Sequence, residues 1–348
     1  PKLFRNAFTH FVRQLNRKGL TGKTLVALDS SKFRAVNSKK NNFNQKKIDR
    51  QLEYIDNKIQ SYIEELDAGD LDEARQETIG EKLKKQKAQR RKYKRIEKQL
   101  AETGQDQVST TDPDARSMIL HGSVIEVAYN VQTVADSSNK LVLEYEVTNQ
   151  NDRKALLPMA QKTKRICNTD AVAVLADKGY HNGEQLAACE LKDIYTIVAY
   201  PEVPRSHPVP TPEYYGERFR YNPQKDQYKC PQGHILKTTG QWYNKKYEKS
   251  VTRVKHYKTM ACGSCEVRNL CTRNPNGRVI ERTEHAHAIE RNNRRVRENT
   301  SVYSLRQQII EHIFGTIKRQ WGYDNILLKG LRKNEGEFGL IYIVYNFR

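Results

Sequence analysis

An acidic and a basic residue stand seven positions apart near the C-terminus, within a largely apolar stretch. These residues are Glu311 and Lys318, and on an α-helix, at about 100° per residue, they return to nearly the same face. Gly315 lies between them and would leave that face open to a close partner such as a phosphodiester backbone. A carboxylate and an ammonium group in this arrangement suit metal-assisted phosphoryl transfer on nucleic acid. The alternative is an ordinary charge pair on a solvated helix face.

Two further carboxylates each follow a short apolar run that we interpret as a buried strand. Residues 24–28 precede Asp29, and residues 171–176 precede Asp177. Ligands gather at the carboxyl ends of strands in open sheets, and Mg²⁺ prefers carboxylate and phosphate oxygens. With Glu311, the two aspartates therefore predict a site for divalent cations, although an Asp in either position also fits a helix cap or a turn. Other acids rank lower because none ends an apolar strand as cleanly: Asp112, Asp114 and Asp136.

The charge balance points to a polyanionic partner. The 348-residue chain has 61 Lys and Arg against 41 Asp and Glu, a formal net charge of +20, and only 37% of its residues are hydrophobic. Such an excess favours nucleic acid or an anionic membrane. No run approaches the roughly 18 apolar residues that span a bilayer, and the sequence shows no secretory or lipidation motif. We therefore expect double-stranded DNA as the partner, a cytoplasmic location and no membrane association.

Both ends of the sequence look cut. The chain opens on an amphipathic helical pattern without an initiating Met, and it closes on the apolar residues 341–347 without a stop signal. We expect it to be part of a longer protein.

Residues 44–102 change character and predict a helical hairpin. In the first half, apolar residues recur at alternating spacings of four and three, which is heptad periodicity. Residues 67–70 break this pattern, and a second helical run rich in Lys and Arg follows. We expect this basic helix to lie along a DNA backbone and to contact it through Arg90 and Arg91. The alternative is a charged face that only meets solvent.

The order of the predicted elements matches the ribonuclease-H-like fold, which belongs to the α/β class. Three strands, a helix, a strand, a helix and a further strand precede the helix of Glu311, and in that fold they build a mixed sheet. Its first and fourth strands are neighbours, so Asp29 would lie beside Asp177. We predict a catalytic core at residues 1–43, 112–201 and 282–348. The two predicted insertions are a helical hairpin at 44–111 and a Cys-rich, zinc-ribbon-like segment at 202–281.

Four of the six cysteines fall in the second predicted insertion. They are Cys230, Cys262, Cys265 and Cys271, and the last three have the form Cys-x2-Cys-x5-Cys. Four thiolates with one Cys-x2-Cys pair and tight turns predict a closed, tetrahedral structural site for Zn²⁺. His234 is a substitute ligand on the first arm. The alternative is a set of reduced structural thiols, because a cytoplasmic compartment argues against disulfides.

Five segments together resemble the DDE transposases of bacterial insertion sequences, in the branch with a Cys-rich insert before the last acid. They are distributed over nearly the whole chain, at residues 27–37 (ALDSSKFRAVN), 111–116 (TDPDAR), 128–133 (AYNVQT), 176–180 (ADKGY) and 311–318 (EHIFGTIK). The resemblance implies that Asp29, Asp177 and Glu311 are the metal-binding triad, for Mg²⁺ or Mn²⁺.

In the related transposases the last acid lies in a Tyr-x2-Arg-x3-Glu-x6-Lys motif. Here Tyr303, Arg306, Glu311 and Lys318 match, with four residues rather than three between the arginine and the glutamate. The resemblance implies that Lys318 belongs to the catalytic site and that Tyr303 and Arg306 bind substrate. Arg116 is a further candidate for the lining of the site.

The resemblance implies a transposase that cuts DNA at the ends of an insertion sequence and joins the cut strand to target DNA. The hypothesis is in-line attack by water and then by a 3′-hydroxyl at a two-metal site, in a homodimer on DNA. The main alternative is a truncated or domesticated, non-catalytic DNA-binding protein that keeps the basic hairpin and the zinc module. Two further alternatives are a junction resolvase on the same fold and a structural coiled coil, although the heptads cover only a small part of the chain.

Overall fold

The chain folds into two compact units. The computed structural model describes residues 1–68, 72–202, 209–247 and 250–348. One unit is made of Pro1–Val172 with Ser304–Arg348, and the other of Ala173–Tyr303. Two residues of the predicted break, Gly69 and Asp70, and two short parts of the predicted Cys-rich insertion lie outside the described residues. The boundaries of the predicted core and insertions stay predictions.

The helices form where the sequence is amphipathic and where a side chain caps the first turn. Asn44 and Asp72, for example, each accept a hydrogen bond from a backbone N–H at the start of a helix of the hairpin. No helix within the described ranges has the length and apolar character that crossing a bilayer requires. The α-helices are α1 (Lys2–Arg17), α2 (Gln45–Asp67), α3 (Glu73–Thr103), α4 (Leu156–Cys167), α5 (Gly183–Glu190), α6 (Arg268–Cys271), α7 (Ala286–Glu298), α8 (Thr300–Arg306), α9 (His312–Gly315) and α10 (Leu331–Phe347).

Strands form where β-branched and aromatic residues are concentrated, and together with the helices they confirm the predicted α/β class. The ribonuclease-H-like arrangement stays a prediction. The strands are β1 (Leu25–Arg34), β2 (Asn42–Phe43), β3 (Val108–Ser109), β4 (Arg116–His121), β5 (Val124–Asp136), β6 (Val142–Thr148), β7 (Val172–Ala176), β8 (Ile194–Val198), β9 (Arg220–Asn222), β10 (Gln227–Lys229), β11 (Ile235–Lys237), β12 (Tyr243–Tyr247), β13 (Ser250–Tyr257) and β14 (Ile280–Thr283).

In the first unit, β5 is the strand on which the sheet is built. β1, β4 and β6 all pair with it in the antiparallel direction. Asp29 lies opposite Thr133 in this register, so their side chains point to the same face of the sheet. The expectation that Asp29 ends its strand is wrong, because the residues from Ser30 to Arg34 also pair with β5. Asp29 therefore lies in the middle of β1.

The face of the sheet that carries Asp29 is covered by α10. The hydroxyls of Tyr342 and Thr133 are 2.6 Å apart, and Phe338 packs edge-on against Phe33 with ring centroids 4.7 Å apart. All four of these contacting side chains are buried. Apolar packing with one internal hydrogen bond thus fixes the surface next to Asp29.

The helices α2 and α3 pack against each other as an antiparallel hairpin. Contacts link them in reverse order along the chain, since Gln45 meets Glu97 and Asp56 meets Arg90. The hairpin carries exposed basic residues along α3, while its base closes on a small apolar core: Phe43, Ile48, Leu52, Ile96, Leu100 and Val108.

In the second unit, β7 and β8 are hydrogen-bonded neighbours, with α5 and α7 packed next to β8. The buried amide of Asn292 on α7 accepts from the N–H of Val198 at 2.9 Å and donates to its C=O at 2.7 Å. These two bonds fasten α7 to β8. The Cys-rich segment forms two small antiparallel sheets, β9–β11 and β12–β14. Its apolar core consists of Phe219, Tyr228, Leu236, Tyr257 and Ile280.

Candidate active site

A largely buried arginine joins two of the predicted acids in the first unit. Nη1 of Arg306 lies 2.7 Å from Oδ2 of Asp29, and Nη2 lies 3.2 Å from Oε1 of Glu311. The side chains of Arg306 and Asp29 are only 12% and 18% exposed, whereas that of Glu311 is 50% exposed. The two carboxylates therefore lie within the span of one guanidinium, and solvent reaches this position from the side of Glu311.

The helical segment that carries Arg306 and Glu311 departs from α geometry at two places. After α8, residues Gln307–Glu311 form a π-turn, and a second π-turn follows α9 at Thr316–Gln320. In an α-helix, residues five positions apart differ in direction by about 140°, so Arg306 and Glu311 would point away from each other. A π-turn closes its hydrogen bonds one residue later than an α-helix and brings them together. The backbone thus absorbs the additional residue between the arginine and the glutamate.

Asp29 and Glu311 fit a divalent cation as a pair of oxygen ligands. Oδ1 of Asp29 accepts a hydrogen bond from the N–H of Ser30 at 2.7 Å, so this carboxylate is held in one orientation. Mg²⁺ is usually bound by one or two carboxylates, together with water and substrate phosphate. Among the described residues, no group of three or more His, Cys, Asp or Glu side chains is arranged to hold a metal ion. The first unit therefore offers a two-carboxylate site.

Lys318 lies further along β1 from Asp29. Its ammonium group donates to the carbonyl of Lys32 at 2.6 Å and lies 4.4 Å from the ring centre of Phe33. Asp29 and Phe33 share a face of the strand and are about 13 Å apart along it. Lys318 is thus on the same side of the sheet as Asp29. Its ammonium group contacts the backbone of β1, whereas the carboxylate of Glu311 pairs with Arg306.

Asp177 directly follows β7 in the second unit, as the sequence predicts. Its Oδ1 accepts a hydrogen bond from the N–H of Gly179 at 2.8 Å, so Asp177 caps the short helical turn Lys178–Tyr180. The cap that the sequence analysis gave as the alternative for Asp177 is therefore present. The role of Asp177 as a metal ligand stays a prediction.

A comparison with protein families classifies the segment that contains Glu311. Residues 229–348 match the family described as Transposase DDE domain. This part of the chain is a transposase DDE domain. Comparison with curated proteins and with solved structures finds no match. The match confirms the expected resemblance to the DDE transposases for this part of the chain, and it supports a transposase-like function.

The matched DDE domain begins at residue 229 and so includes the cysteines of the Cys-rich segment. Its four cysteines are free thiols, and they line one cavity of about 30 Å³ together with His234. Burial raises the pKa of Cys271, the charge of Arg278 opposes this, and the three neighbouring thiols add to the rise. The four cysteines that the sequence grouped are therefore neighbours: Cys230, Cys262, Cys265 and Cys271.

Three acids that ranked below the proposed triad bind backbone groups of the protein. Asp112 accepts from the N–H of Gly330 at 3.2 Å, and Asp114 from the N–H of Leu331 at 2.9 Å, which caps the start of α10. Asp136 is fully buried. Its carboxylate accepts four backbone N–H groups, those of Gly22, Ser138, Asn139 and Leu141. These structural roles agree with the lower ranking.

Two of the predicted substrate-binding residues, Arg116 and Tyr303, lie in contrasting positions. Arg116 is buried and donates to the carbonyls of Pro113 and Ala115 at 2.5 and 2.7 Å, and burial lowers its pKa. This geometry favours a role of Arg116 in the turn before β4. Tyr303 belongs to α8 and is half-buried in the second unit, and its contact with DNA stays a prediction.

One polar cluster of the first unit was not predicted from the sequence. Oδ1 of Asp152 accepts from the amides of Asn130 and Gln132 at 2.7 Å each, and Oδ2 lies 3.6 Å from Nζ of Lys32. Burial raises the pKa of Asp152, but Lys32 and the hydrogen-bond donors outweigh this effect and lower it overall. The feature of the sequence that could have revealed this cluster is the spacing of Asn130 and Gln132, two polar residues two positions apart in a largely apolar strand. This spacing places both side chains on one face of the sheet, opposite to the face of Asp29.

The environment of Lys318 predicts a pH-dependent contribution to the stability of the protein. Burial lowers its pKa from 10.5 to about 8, with Asp324 opposing and Lys32 adding to the shift. Between these two values the unfolded chain holds a proton that the folded chain has lost, so the stability rises with pH. In Lys318→Met this component is absent. The free energy of unfolding of the wild type minus that of the variant is therefore expected to rise between about pH 8 and 10.

Urea denaturation of both proteins at several pH values checks this prediction for Lys318. Below about pH 7 the difference between wild type and variant should stay constant, because both the folded and the unfolded chain then hold the proton. A difference that stays constant up to about pH 10 would contradict the lowered pKa.

Proposed function

We propose that the chain is a DDE-type transposase that cleaves DNA at the ends of an insertion sequence and transfers the cut strand to target DNA. The proposal rests chiefly on the convergence of Asp29 and Glu311 on Arg306 at 2.7 and 3.2 Å, with Glu311 inside the matched DDE domain. Asp177 is the third proposed acid, because it follows β7 directly and the resemblance implies it.

Bound Mg²⁺ or Mn²⁺ would polarise the phosphate and stabilise the attacking and leaving oxygens. Asp29 and Glu311 are the proposed ligands from the first unit. Gly315 keeps the neighbouring helix surface open, since a Cβ atom there would meet nothing within 4 Å. Lys318 is the proposed contact to a phosphate further along the strand, because its ammonium group lies on the same face of β1. The non-catalytic alternative is not favoured by the match to a DDE domain.

The test is a strand-transfer assay with a labelled duplex that carries the DNA flanking the coding sequence. Wild-type protein with Mg²⁺ or Mn²⁺ should nick this duplex and join it to a target plasmid. Products of simple cleavage without joining would instead support a nuclease such as a junction resolvase. The variant Asp29→Asn tests whether this activity depends on the acidic residues.

The proposed DNA-binding surface of the first unit is the basic helix α3. Its two predicted contact residues differ in their surroundings. Nε of Arg90 pairs with Oδ1 of Asp56 at 2.6 Å, whereas Arg91 is exposed and forms no ion pair within the described parts of the chain. An arginine with an acidic partner must give up that partner to bind phosphate, so we infer that Arg91 is the stronger contact.

Arg91→Ala is therefore expected to weaken DNA binding more than the matched change Arg90→Ala. Loss of one phosphate contact lowers the slope of log K against log salt by about 0.9 and costs about fivefold in affinity near physiological salt. Titrations of a labelled duplex at several salt concentrations measure both quantities. Equal effects of the two variants would contradict the distinction, and no effect of either would exclude α3 as a DNA contact.

A second proposed DNA contact lies on β13 and on the residue that precedes β12. The cationic groups of Arg253 and Lys255 lie 5.3 and 5.0 Å from the ring centre of Trp242, whose side chain is 39% exposed. Exposed aromatic rings flanked by cations suit contacts with nucleic-acid bases and phosphates. We also propose a homodimer on DNA and a cytoplasmic location, as the resemblance and the composition imply.

We further propose that the four cysteines lining one cavity hold a structural Zn²⁺. The cavity of about 30 Å³ exceeds the roughly 10–15 Å³ that one water-sized particle needs. Four thiols with a Cys-x2-Cys pair are a typical donor set for structural zinc. Among the described residues, no group of three or more such side chains already has the geometry of a metal site. The proposal therefore rests on the types of the four donor atoms and on the cavity that they share. In this segment, bound zinc would supply folding energy.

A further inference from the structure

Arg306 occupies the position between the two carboxylates that the first unit offers to a cation. Its guanidinium donates to Oδ2 of Asp29 and to Oε1 of Glu311. The positive charge of the guanidinium offsets the repulsion between the two carboxylates, as the charge of a bound cation would. The same oxygen atoms and the same space would be used by a divalent ion bound to both carboxylates.

The contacts of Arg306 with the two acids oppose the binding of a metal ion by the same oxygen atoms. At 2.7 Å, the bond to Asp29 has the length of a charge-assisted hydrogen bond. The side chains of Arg306 and Asp29 are mostly removed from water, so solvent screens this ion pair less than a surface pair. Glu311, by contrast, is half exposed. A ligand that arrives from solvent therefore meets the guanidinium from the side of Glu311.

The π-turn at Gln307–Glu311 is the reason why the guanidinium reaches both acids. Without it, the five-residue step from Arg306 to Glu311 would turn the two side chains apart by about 140°. A π-turn inside an α-helix is rare and frequently marks a functional site. The observed turn is therefore an independent indication that the pairing of Arg306 with Glu311 is used by the protein.

We propose that Arg306 is a positioning residue that exchanges partners, holding Asp29 and Glu311 before DNA binds and a DNA phosphate afterwards. The planar guanidinium binds carboxylate and phosphate with the same two-pronged geometry, so the exchange needs only a side-chain movement. Before the exchange, Arg306 competes with divalent ions for the two acids. After it, the acids are available to the ions. This inference rests on the proposed function, and it makes metal binding dependent on DNA.

The experiment measures Mn²⁺ binding to the full chain without DNA, by electron paramagnetic resonance of the free ion. Arg306→Gln removes the competing charge and is expected to bind Mn²⁺ about tenfold more tightly than the wild type. Arg306→Lys keeps a charge that cannot bridge both acids, so its affinity should lie between the two. The matched control is Arg319→Gln, an exposed arginine of the same helical segment, which should bind Mn²⁺ as the wild type does.

A second series adds a metal-free DNA duplex before the Mn²⁺ titration. DNA should increase the Mn²⁺ affinity of the wild type by a larger factor than that of Arg306→Gln, since the variant has no competing group to remove. An equal increase in both proteins would overturn the exchange of partners. In the first series, unchanged or weaker binding by Arg306→Gln would overturn the competition, and so would an equal gain in Arg319→Gln, because the gain would then come from net charge alone.

Thermal melting shows whether the variants fold, and Arg306→Lys provides a charged variant if Arg306→Gln does not. The failure of this inference is distinguishable from that of the proposed function, because Mn²⁺ binding is measured without any DNA cleavage. A wild type that transfers strands while Arg306→Gln gains no affinity would leave the transposase assignment intact and remove only the role of Arg306.

Discussion

Replacing Asp29 by Asn is expected to reduce DNA cleavage and strand transfer about 10²- to 10³-fold. The change removes a negative charge and one ligand oxygen from the two-carboxylate site but keeps the shape of the side chain. A bound metal ion contributes several kcal/mol of transition-state stabilisation, and each 1.36 kcal/mol corresponds to about a factor of ten in rate. The measurement is the rate of nicking and joining of a labelled duplex in the presence of Mg²⁺ or Mn²⁺.

The control for Asp29→Asn is Asp170→Asn, which removes an exposed carboxylate from the same unit and should retain full activity. DNA binding by Asp29→Asn should stay within about twofold of the wild type, because one contact near the reacting phosphate adds little to a largely electrostatic affinity. If Asp29→Asn transferred strands as fast as the wild type, the proposed acidic site would be wrong. If neither protein cleaved DNA while both bound it, the non-catalytic alternative would be supported.

Replacing Cys265 by Ala is expected to remove bound zinc and to unfold the Cys-rich segment. Structural zinc sites of four ligands contribute about 10–16 kcal/mol of apparent binding energy, and this polar segment has only a small apolar core. Purified wild-type protein should contain about one zinc ion per chain, and Cys265→Ala much less. Metal analysis by mass spectrometry measures the content, and thermal melting with and without a chelator measures the effect on stability.

The matched control for Cys265→Ala is Cys189→Ala, which removes a fully buried thiol from α5 of the same unit. Burial, with a smaller effect of Glu190, raises the pKa of Cys189 to about 12, so this thiol stays protonated and is a poor metal ligand. The control should keep its zinc. Wild-type protein that contains no zinc and melts at the same temperature with a chelator would support the alternative of reduced structural thiols.

Local patterns in the sequence were sufficient for much of the secondary structure. Heptad spacing predicted α2, a second helical run rich in Lys and Arg predicted α3, and an apolar run that stops before Asp177 predicted the end of β7. These features depend on hydrophobic periodicity and on residues that cap or break an element, which are properties of neighbouring residues. The same reasoning placed the end of β1 too early, because pairing with β5 continues through polar residues such as Ser30 and Lys32. The hydrophobic pattern of one strand carries no information about the strand that pairs with it.

The sequence by itself determined the α/β class, the basic hairpin, the set of four cysteines and the acids that are candidates for metal binding. Only the tertiary structure decided which groups meet, above all the contact of Arg306 with Asp29 across 277 positions of the chain. It also decided that Lys318 faces the backbone of β1, and that a π-turn absorbs the additional residue before Glu311. The physical reason is that helix direction and strand register depend on packing between distant segments, whereas residue type and spacing describe only near neighbours.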